Sequence, residues 1–401
     1  MKRTILLISF FVLLGLVGCK PEPTAVPTPT ATPNFAPTEV LATVEQPAAQ
    51  AAAPQMTPTP LGPFGPTGFP ADVNPLTGLV VNDPSVLDRR PLLVKVSNES
   101  PTVRPQSGLS FADHVWEYQM EGFAQTRYTA VFYSQTPEMV GSVRSARLID
   151  VEHLVYMYGG ILALSGASSN LADPPGSTPR VRELLLAAPY RERVVSEQLG
   201  HSDPWLVRIP DIPREGIARY HSLFAMPEAI WQRADDMGFN QRPVLDGMLF
   251  DTAAPAGGTA TTEMNIDDPG SGPKHTWRYD SGSGKWLSWT DDAPDSDYLT
   301  GEQLAFDNVV IIYATHYEAD FLEQEGELGE LYSVGINLLG EGQAVLMRDG
   351  QRYDVTWRRE EANSLMQFFD QSGNLIAFKP GTTWFNTASI YYWPPEVTFL
   401  P

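Results

Sequence analysis

The sequence predicts an α+β fold: an N-terminal mixed α/β domain over residues 71–245, then a mainly antiparallel β domain over residues 246–401, both following a disordered Pro/Thr-rich stalk. Three observations carry this reading. Apolar runs of strand length and one amphipathic helical stretch alternate between residues 91 and 164. Beyond about residue 243, Gly-containing turns multiply and punctuate short strand-like runs. Within residues 21–70 lie 13 of the chain's 36 prolines and only three charges, a composition that cannot bury a core. At 401 residues the chain is long enough for two hydrophobic cores.

The first residues read as a leader. Lys2 and Arg3 precede an apolar run from Ile5 to Val17, too short for a comfortable membrane span. Leu16-Val17-Gly18-Cys19 resembles a bacterial lipobox, which predicts a signal peptide over residues 1–19 and acylated Cys19, carrying diacylglycerol and palmitate, as the first mature residue. The expected partner is then the lipid bilayer, with the protein on the outer side of the cell membrane. Cys19 is the single cysteine, so disulfides, a thiol nucleophile and a thiolate metal site are excluded. Residues 20–70 form the expected stalk, with polyproline II character that holds the folded part away from the bilayer.

In the folded part, Pro91–Val96 reads as a buried strand. Ser110-Phe111-Ala112-Asp113 fits a capping box on one helical turn. From His114 to Met120 the period is two, Glu121-Gly122 is the expected hairpin turn, and 125–135 returns as a strand. The stretch GSVRSARLID, residues 141–150, predicts a helix of about residues 145–158, with Ser142 or Ser145 as N-cap. That reading sets Arg144 and Arg147 at the positive end of the helix dipole, where an anion must share the site. Ile161–Leu164 is again a buried strand. In the second half, strands are expected at Asn308–Tyr313, Ala344–Arg348, Tyr353–Trp357 and Leu375–Lys379.

Charge is uneven. Residues 71–250 hold 16 Lys and Arg against 21 Asp and Glu, whereas residues 251–401 hold 8 against 24. The acidic second half argues against nucleic acid as a partner. Of the 16 cations in the first half only Lys95 is lysine, a bias that fits bidentate recognition of anions and fits genomic composition equally.

Several stretches together resemble the YerB-like bacterial lipoproteins, a domain of unknown function. They are Asn74-Pro75-Leu76-Thr77-Gly78, Arg104-Pro105-Gln106-Ser107-Gly108-Leu109, Ala112-Asp113 with Glu117, Val143-Arg144-Ser145-Ala146-Arg147, His221-Ser222-Leu223-Phe224 and Pro380-Gly381-Thr382-Thr383-Trp384. The resemblance implies a two-part α+β fold outside the membrane and no established activity. This chain departs from the family where Glu99 stands in place of a His, where Leu164–Ser168 replaces a His-containing strand end, and where Gly141-Ser142 replaces Gly-Pro. Both departures in histidine speak against a His-dependent reaction.

No catalytic residue, cofactor or metal is assigned. His201-Ser202-Asp203 lacks a second ligand pair at metal spacing. Ser165, His221 and Asp113 compose a triad on paper, without a nucleophile elbow. Asp291-Asp292 and Glu323–Glu330 read as solvated loops. The candidate ligand-binding residues are Asn98, Arg104, Gln106, Asp113, Glu117, Glu121, Arg127, Arg144, Arg147, Ser165, Ser168 and His221, most of them where strands stop or turns begin. Two readings stand. Either Glu117 and Asp113 neutralise Arg144 and Arg147 as an internal clasp, or the arginines present guanidinium forks to an anionic small molecule, glycan or envelope protein. The expected function is a non-enzymatic binding or scaffold lipoprotein of the envelope; the alternative is an envelope hydrolase acting on glycan or peptide.

Overall fold

The structure, a computed structural model, describes residues 63–99, 101–122, 125–268, 272–326 and 329–401. The signal peptide, Cys19 and the stalk as far as residue 62 lie outside the described residues.

Strands β1 (Leu92–Asn98), β2 (His114–Gln119) and β3 (Thr126–Phe132) form where their apolar runs predict. All three are buried along their whole length, because the sheet is covered on both faces. They sit at the middle of a mixed sheet of 12 strands. Its path runs Gln367–Phe369, Gln351–Arg359, Gly340–Arg348, Asn308–Gly326, Thr383–Ser389, β2, β3, β1, Ile161–Leu164 and Val194–Ser196. Strand Thr383–Ser389 pairs in parallel with β2 on one side and with Asn308–Gly326 on the other. One sheet is therefore built from both sequence regions, and the boundary expected at residues 245–246 falls in extended chain between two of its contributors. On one face of the sheet Leu93, Trp116, Val131 and Leu162 pack with Leu154, Val155 and Tyr158. On the other, Val94, Val115, Ala130 and Ile161 share a core with Trp277, Trp286 and Trp384. Trp277 and Trp286 belong to a second, antiparallel sheet that includes Glu263–Asp267, Lys274–Asp280 and Lys285–Thr290.

Several sequence expectations are corrected. The stalk does not extend to residue 70: the backbone of Phe64 exchanges hydrogen bonds of 2.9 and 2.8 Å with Phe250, and Phe69 packs edge-on against the Phe250 ring. The helix of 145–158 starts later, at Leu148, passes through a π-helical turn at Asp150–Leu154 and continues as α1, Val155–Tyr158, ended by Gly159 in the left-handed region. The reason is backbone pairing. Arg144 N–H donates to Lys95 O, Ala146 N–H to Gly166 O, and Arg144 O accepts from Ser165 N–H, so residues 143–146 are held extended between two strand ends. Neither Ser142 nor Ser145 caps the helix: Arg144 lies in the extended segment, and Arg147 immediately precedes the first helical residue.

The capping box at Ser110 is also absent. Leu109–Phe111 is a single 3-10 turn, Ser110 N–H donates to Asp297, and Asp113 N–H pairs with Val131 O. Asn308–Tyr313 is the start of a strand that continues to Gly326, and Glu323 lies on it rather than in a loop. Leu375–Lys379 is not a strand; Leu375 and Phe378 make only isolated bridges to Phe369 and Phe250.

Candidate functional site

Pleating decides which candidate residues can meet. In the registers Ser97↔Arg127, Tyr118↔Arg127 and Lys95↔Thr129, these side chains share the face that bears α1. Asn98, Glu117, Gln119 and Thr126 lie on the opposite face, against the second sheet. The candidate set is therefore two clusters at one end of the sheet, with the sheet between them.

The first cluster gathers Arg127, Arg144 and Arg147. Arg147 pairs with Glu121 through both carboxylate oxygens, Nε lying 2.7 Å from Oε2, and both side chains are 8% exposed. Burial raises the Glu121 carboxyl, but Arg147 and its hydrogen bonds, with Arg127 behind, outweigh this and hold it at about 2. Arg144 pairs with Glu99, at the surface, its side chain 18% and that of Glu99 27% exposed. The guanidinium of Arg144 also stands 5.1 Å from the centre of the exposed Tyr220 ring. Arg127 is buried and makes no ion pair among the described residues; its Nη1 donates to Ser145 O at 2.9 Å, and its Nε has no partner. Burial, with Arg147 alongside, pulls the Arg127 guanidinium down to about 9. Three guanidinium groups thus share the paired carboxylates Glu121 and Glu99, with Glu323 also acting on Arg147, and Arg127 has no ion pair of its own among the described residues.

Beneath them lies a group that pattern reading missed. Lys95 is fully buried on β1, with Nζ 3.4 Å from Asp150 Oδ2 and a hydrogen bond to Tyr118 Oη. The Asp150 carboxylate also accepts from Tyr118 Oη and Thr129 Oγ1, each at 2.6 Å, and from Arg147 N–H at 2.7 Å. Desolvation drives the Lys95 ammonium well below its ordinary range, Asp150 opposing it and Arg127 and Arg147 adding to it. A lysine inside an otherwise apolar strand was the available signal.

Other candidates are arranged around this floor. Ser165 lies at the strand end tied to Arg144, with its hydroxyl 3.5 Å from that of Ser145. Ser168 donates to Glu323 at 2.7 Å, reaching the strand of the second half. His221 is buried; desolvation, then Arg144, lowers its imidazole, and its Nδ1 has no partner. No hydrogen bond joins Ser165, His221 and Asp113, so the paper triad is not assembled.

The clasp of Arg144 and Arg147 by Glu117 and Asp113 does not form either. Asp113 is a structural acceptor for Asn74 Nδ2, Tyr133 N–H and Ser134 N–H and Oγ. Glu117 belongs to the second cluster, where it accepts from Thr126 Oγ1 at 2.7 Å and Trp384 Nε1 at 3.2 Å, and lies 2.9 Å from His275 Nε2. Asn98 Oδ1 there accepts from Arg104 Nε and Nη2 and from Gln106 Nε2. Arg104 is also within 3.7 Å of Asp291 and 4.0 Å of Asp295. His275 and Asp295 were invisible to pattern reading because they lie far along the chain from Glu117.

The His201 ring nitrogens contact Ser196 and Arg233, and among the described residues no group of three or more His, Cys, Asp or Glu is placed to hold a metal. A groove of about 610 Å³ lined by Leu249, Asp251, Tyr353 and Asp370 lies against Gln351–Arg359, a strand far from β1 along the sheet. None of the candidate residues lines it.

Residues 76–188 match the N-terminal domain, and residues 265–385 the C-terminal domain, of a protein family of unknown function (DUF3048). The chain is 28% identical over 316 residues to "Putative lipoprotein YerB" of Bacillus subtilis (strain 168), covering 78% of this chain and 85% of that protein. The crystal structure of YerB protein from Bacillus subtilis superposes with a TM-score of 0.61 at 26% identity, covering 81% of this chain and 99% of that one. Among the described residues no helix is long and apolar enough to cross a membrane.

Proposed function

Because the chain belongs to the DUF3048 family, whose YerB relative carries the name of a lipoprotein, we propose that it is an envelope binding or scaffold protein held to the outer face of the cell membrane by acylated Cys19. Its ligand-binding element is the arginine cluster, and the ligand group is a carboxylate or phosphate borne by a small molecule, a glycan or an envelope protein. The observation that carries this reading is Arg127, a buried guanidinium with an unpartnered Nε and no carboxylate of its own. An uncompensated buried charge is expensive, and a bound anion removes the imbalance. Glu99, partly exposed on Arg144, is the internal group that such an anion displaces.

Calorimetric titration of the purified chain with inorganic phosphate and with acetate tests the anion site. Glu99→Gln removes the internal competitor and is expected to tighten binding of at least one anion about three- to tenfold, while Arg127→Lys, which keeps charge but loses the fork, weakens it. Absence of saturable binding by both anions in both the parent chain and Glu99→Gln refutes the reading. The anchor is checked separately, by mass spectrometry of the mature N-terminus; an unmodified Cys19 in the mature chain removes it.

A further inference from the structure

On the face of the sheet away from the arginines, Glu117 is surrounded by elements from both halves of the sequence. His275 reaches it from Lys274–Asp280, Trp384 from Thr383–Ser389 and Thr126 from β3. Gln119, two residues along the same face of β2, donates Nε2 to Asp268 Oδ1 at 2.8 Å. Asn386, the register partner of Glu117 on the neighbouring strand, takes the Trp384 indole N–H on its Oδ1.

Two features mark this as a place for a ligand rather than a finished core. Gln119 Oε1 and Asn386 Nδ2 are buried polar atoms without partners among the described residues, on residues 2% and 5% exposed. Buried amide atoms are nearly always satisfied, and leaving one without a partner is costly. The charges are also unbalanced. Glu117 and Asp268 share His275, and Arg104 is divided between Asp291 and Asp295, so the carboxylates outnumber the cations and Asp268 has no ion pair of its own among the described residues. Asp268 is only partly buried, whereas Glu117 and Asn386 are buried.

The unfilled requirements are therefore a cationic donor at Asp268 and Gln119 Oε1, and an acceptor for Asn386 Nδ2. Gln119 and Asn386 lie on adjacent strands, about 4.8 Å apart in the pairing direction, and Gln119 holds Asp268 from the second sheet. We propose that this polar cluster is a second binding site, independent of the arginine cluster, and that it takes a small primary ammonium compound with a carbonyl oxygen beside the amine. The ammonium donates to the Asp268 carboxylate and Gln119 Oε1, and the carbonyl accepts from Asn386 Nδ2. Metal chelation is not the chemistry offered, since one carboxamide oxygen and one free carboxylate make a poor cage for a divalent ion. Desolvation, only partly offset by His275, raises the Asp268 carboxyl to about 7, so affinity is expected to fade below that pH as the carboxylate takes a proton.

Glycinamide is the probe, with acetamide, which lacks the ammonium, as control. Titration of the purified chain at pH 8, followed by NMR shifts and by melting temperature, is expected to show saturable binding of glycinamide and none of acetamide. Asp268→Asn is expected to weaken glycinamide about tenfold or more, with the melting temperature of the free chain unchanged or higher. Asn386→Leu keeps the charge of the cluster but removes the amide donor, and is expected to reduce discrimination between glycinamide and ethylammonium. Glu99→Gln, on the other face, leaves glycinamide binding as it was. Equal responses to glycinamide and acetamide, or full glycinamide affinity in Asp268→Asn, overturn the proposal.

Discussion

Replacing Arg147 by Ala isolates the buried half of the arginine cluster. The pair with Glu121 is 8% exposed on each side, so the substitution strands a carboxylate in the interior. Loss of one partner of a buried pair costs about 3–5 kcal/mol. The Glu121 carboxyl provides an independent figure. Burial raises it, yet Arg147 and its hydrogen bonds hold it at about 2 against an ordinary 4.5. At about 1.4 kcal/mol per tenfold, that depression corresponds to about 3 kcal/mol of stability. The two routes agree. Relief of repulsion between Arg147 and Arg127 returns part of the loss, so about 3 kcal/mol at pH 7 is the expected deficit. A carboxyl lowered by folding stabilises above its unfolded value, and that contribution drains away as pH falls from about 4.5 towards 2. The deficit of Arg147→Ala must shrink over the same interval, because protonated Glu121 no longer needs the guanidinium. Glu121→Gln added to Arg147→Ala recovers part of the loss at pH 7. Urea unfolding followed by tryptophan fluorescence at pH 7 and pH 3 measures all of this. A deficit under 1 kcal/mol at pH 7, or one of the same size at pH 3, refutes the reasoning.

Arg144→Ala removes a pair that solvent already screens, and its unfolding free energy is expected to fall by less than about 1 kcal/mol; a loss equal to that of Arg147→Ala assigns Arg144 to the structural core instead. Residues 25–62 are rich in Ala, Pro and Thr, a composition poorly suited to core formation, so calorimetry of a chain lacking them is expected to find the melting temperature unchanged. Extending the deletion through Phe69 strips the Phe64 bridge and the Phe69 contact from Phe250 and lowers it by several degrees, at about 2–4 °C per kcal/mol.

The sequence alone carried the information for β1, β2 and β3, since each is a run of apolar or alternating residues of strand length and burial on a sheet requires little more. The same holds for the hairpin turn at Glu121-Gly122 and the antiparallel, turn-rich second half. The strand-end arginines were also legible, as charges at the boundary of apolar runs. What the sequence could not contain was the partner of each charge. Arg127 and Glu117 lie on opposite faces because of a strand register that no local pattern encodes, so Glu121 and Glu99, not Glu117 and Asp113, neutralise the arginines. The delayed helix has the same origin: residues 143–146 spend their backbone groups on neighbouring strand ends, and that pairing outweighs a local helical preference. Strand Thr383–Ser389 inserts beside β2, and the second sheet folds over them, which brings His275, Asp268 and Asn386 to Glu117. Contacts between residues so distant along the chain arise only when sheet order and face are settled together, by burial of both faces at once. That was decided by the tertiary structure.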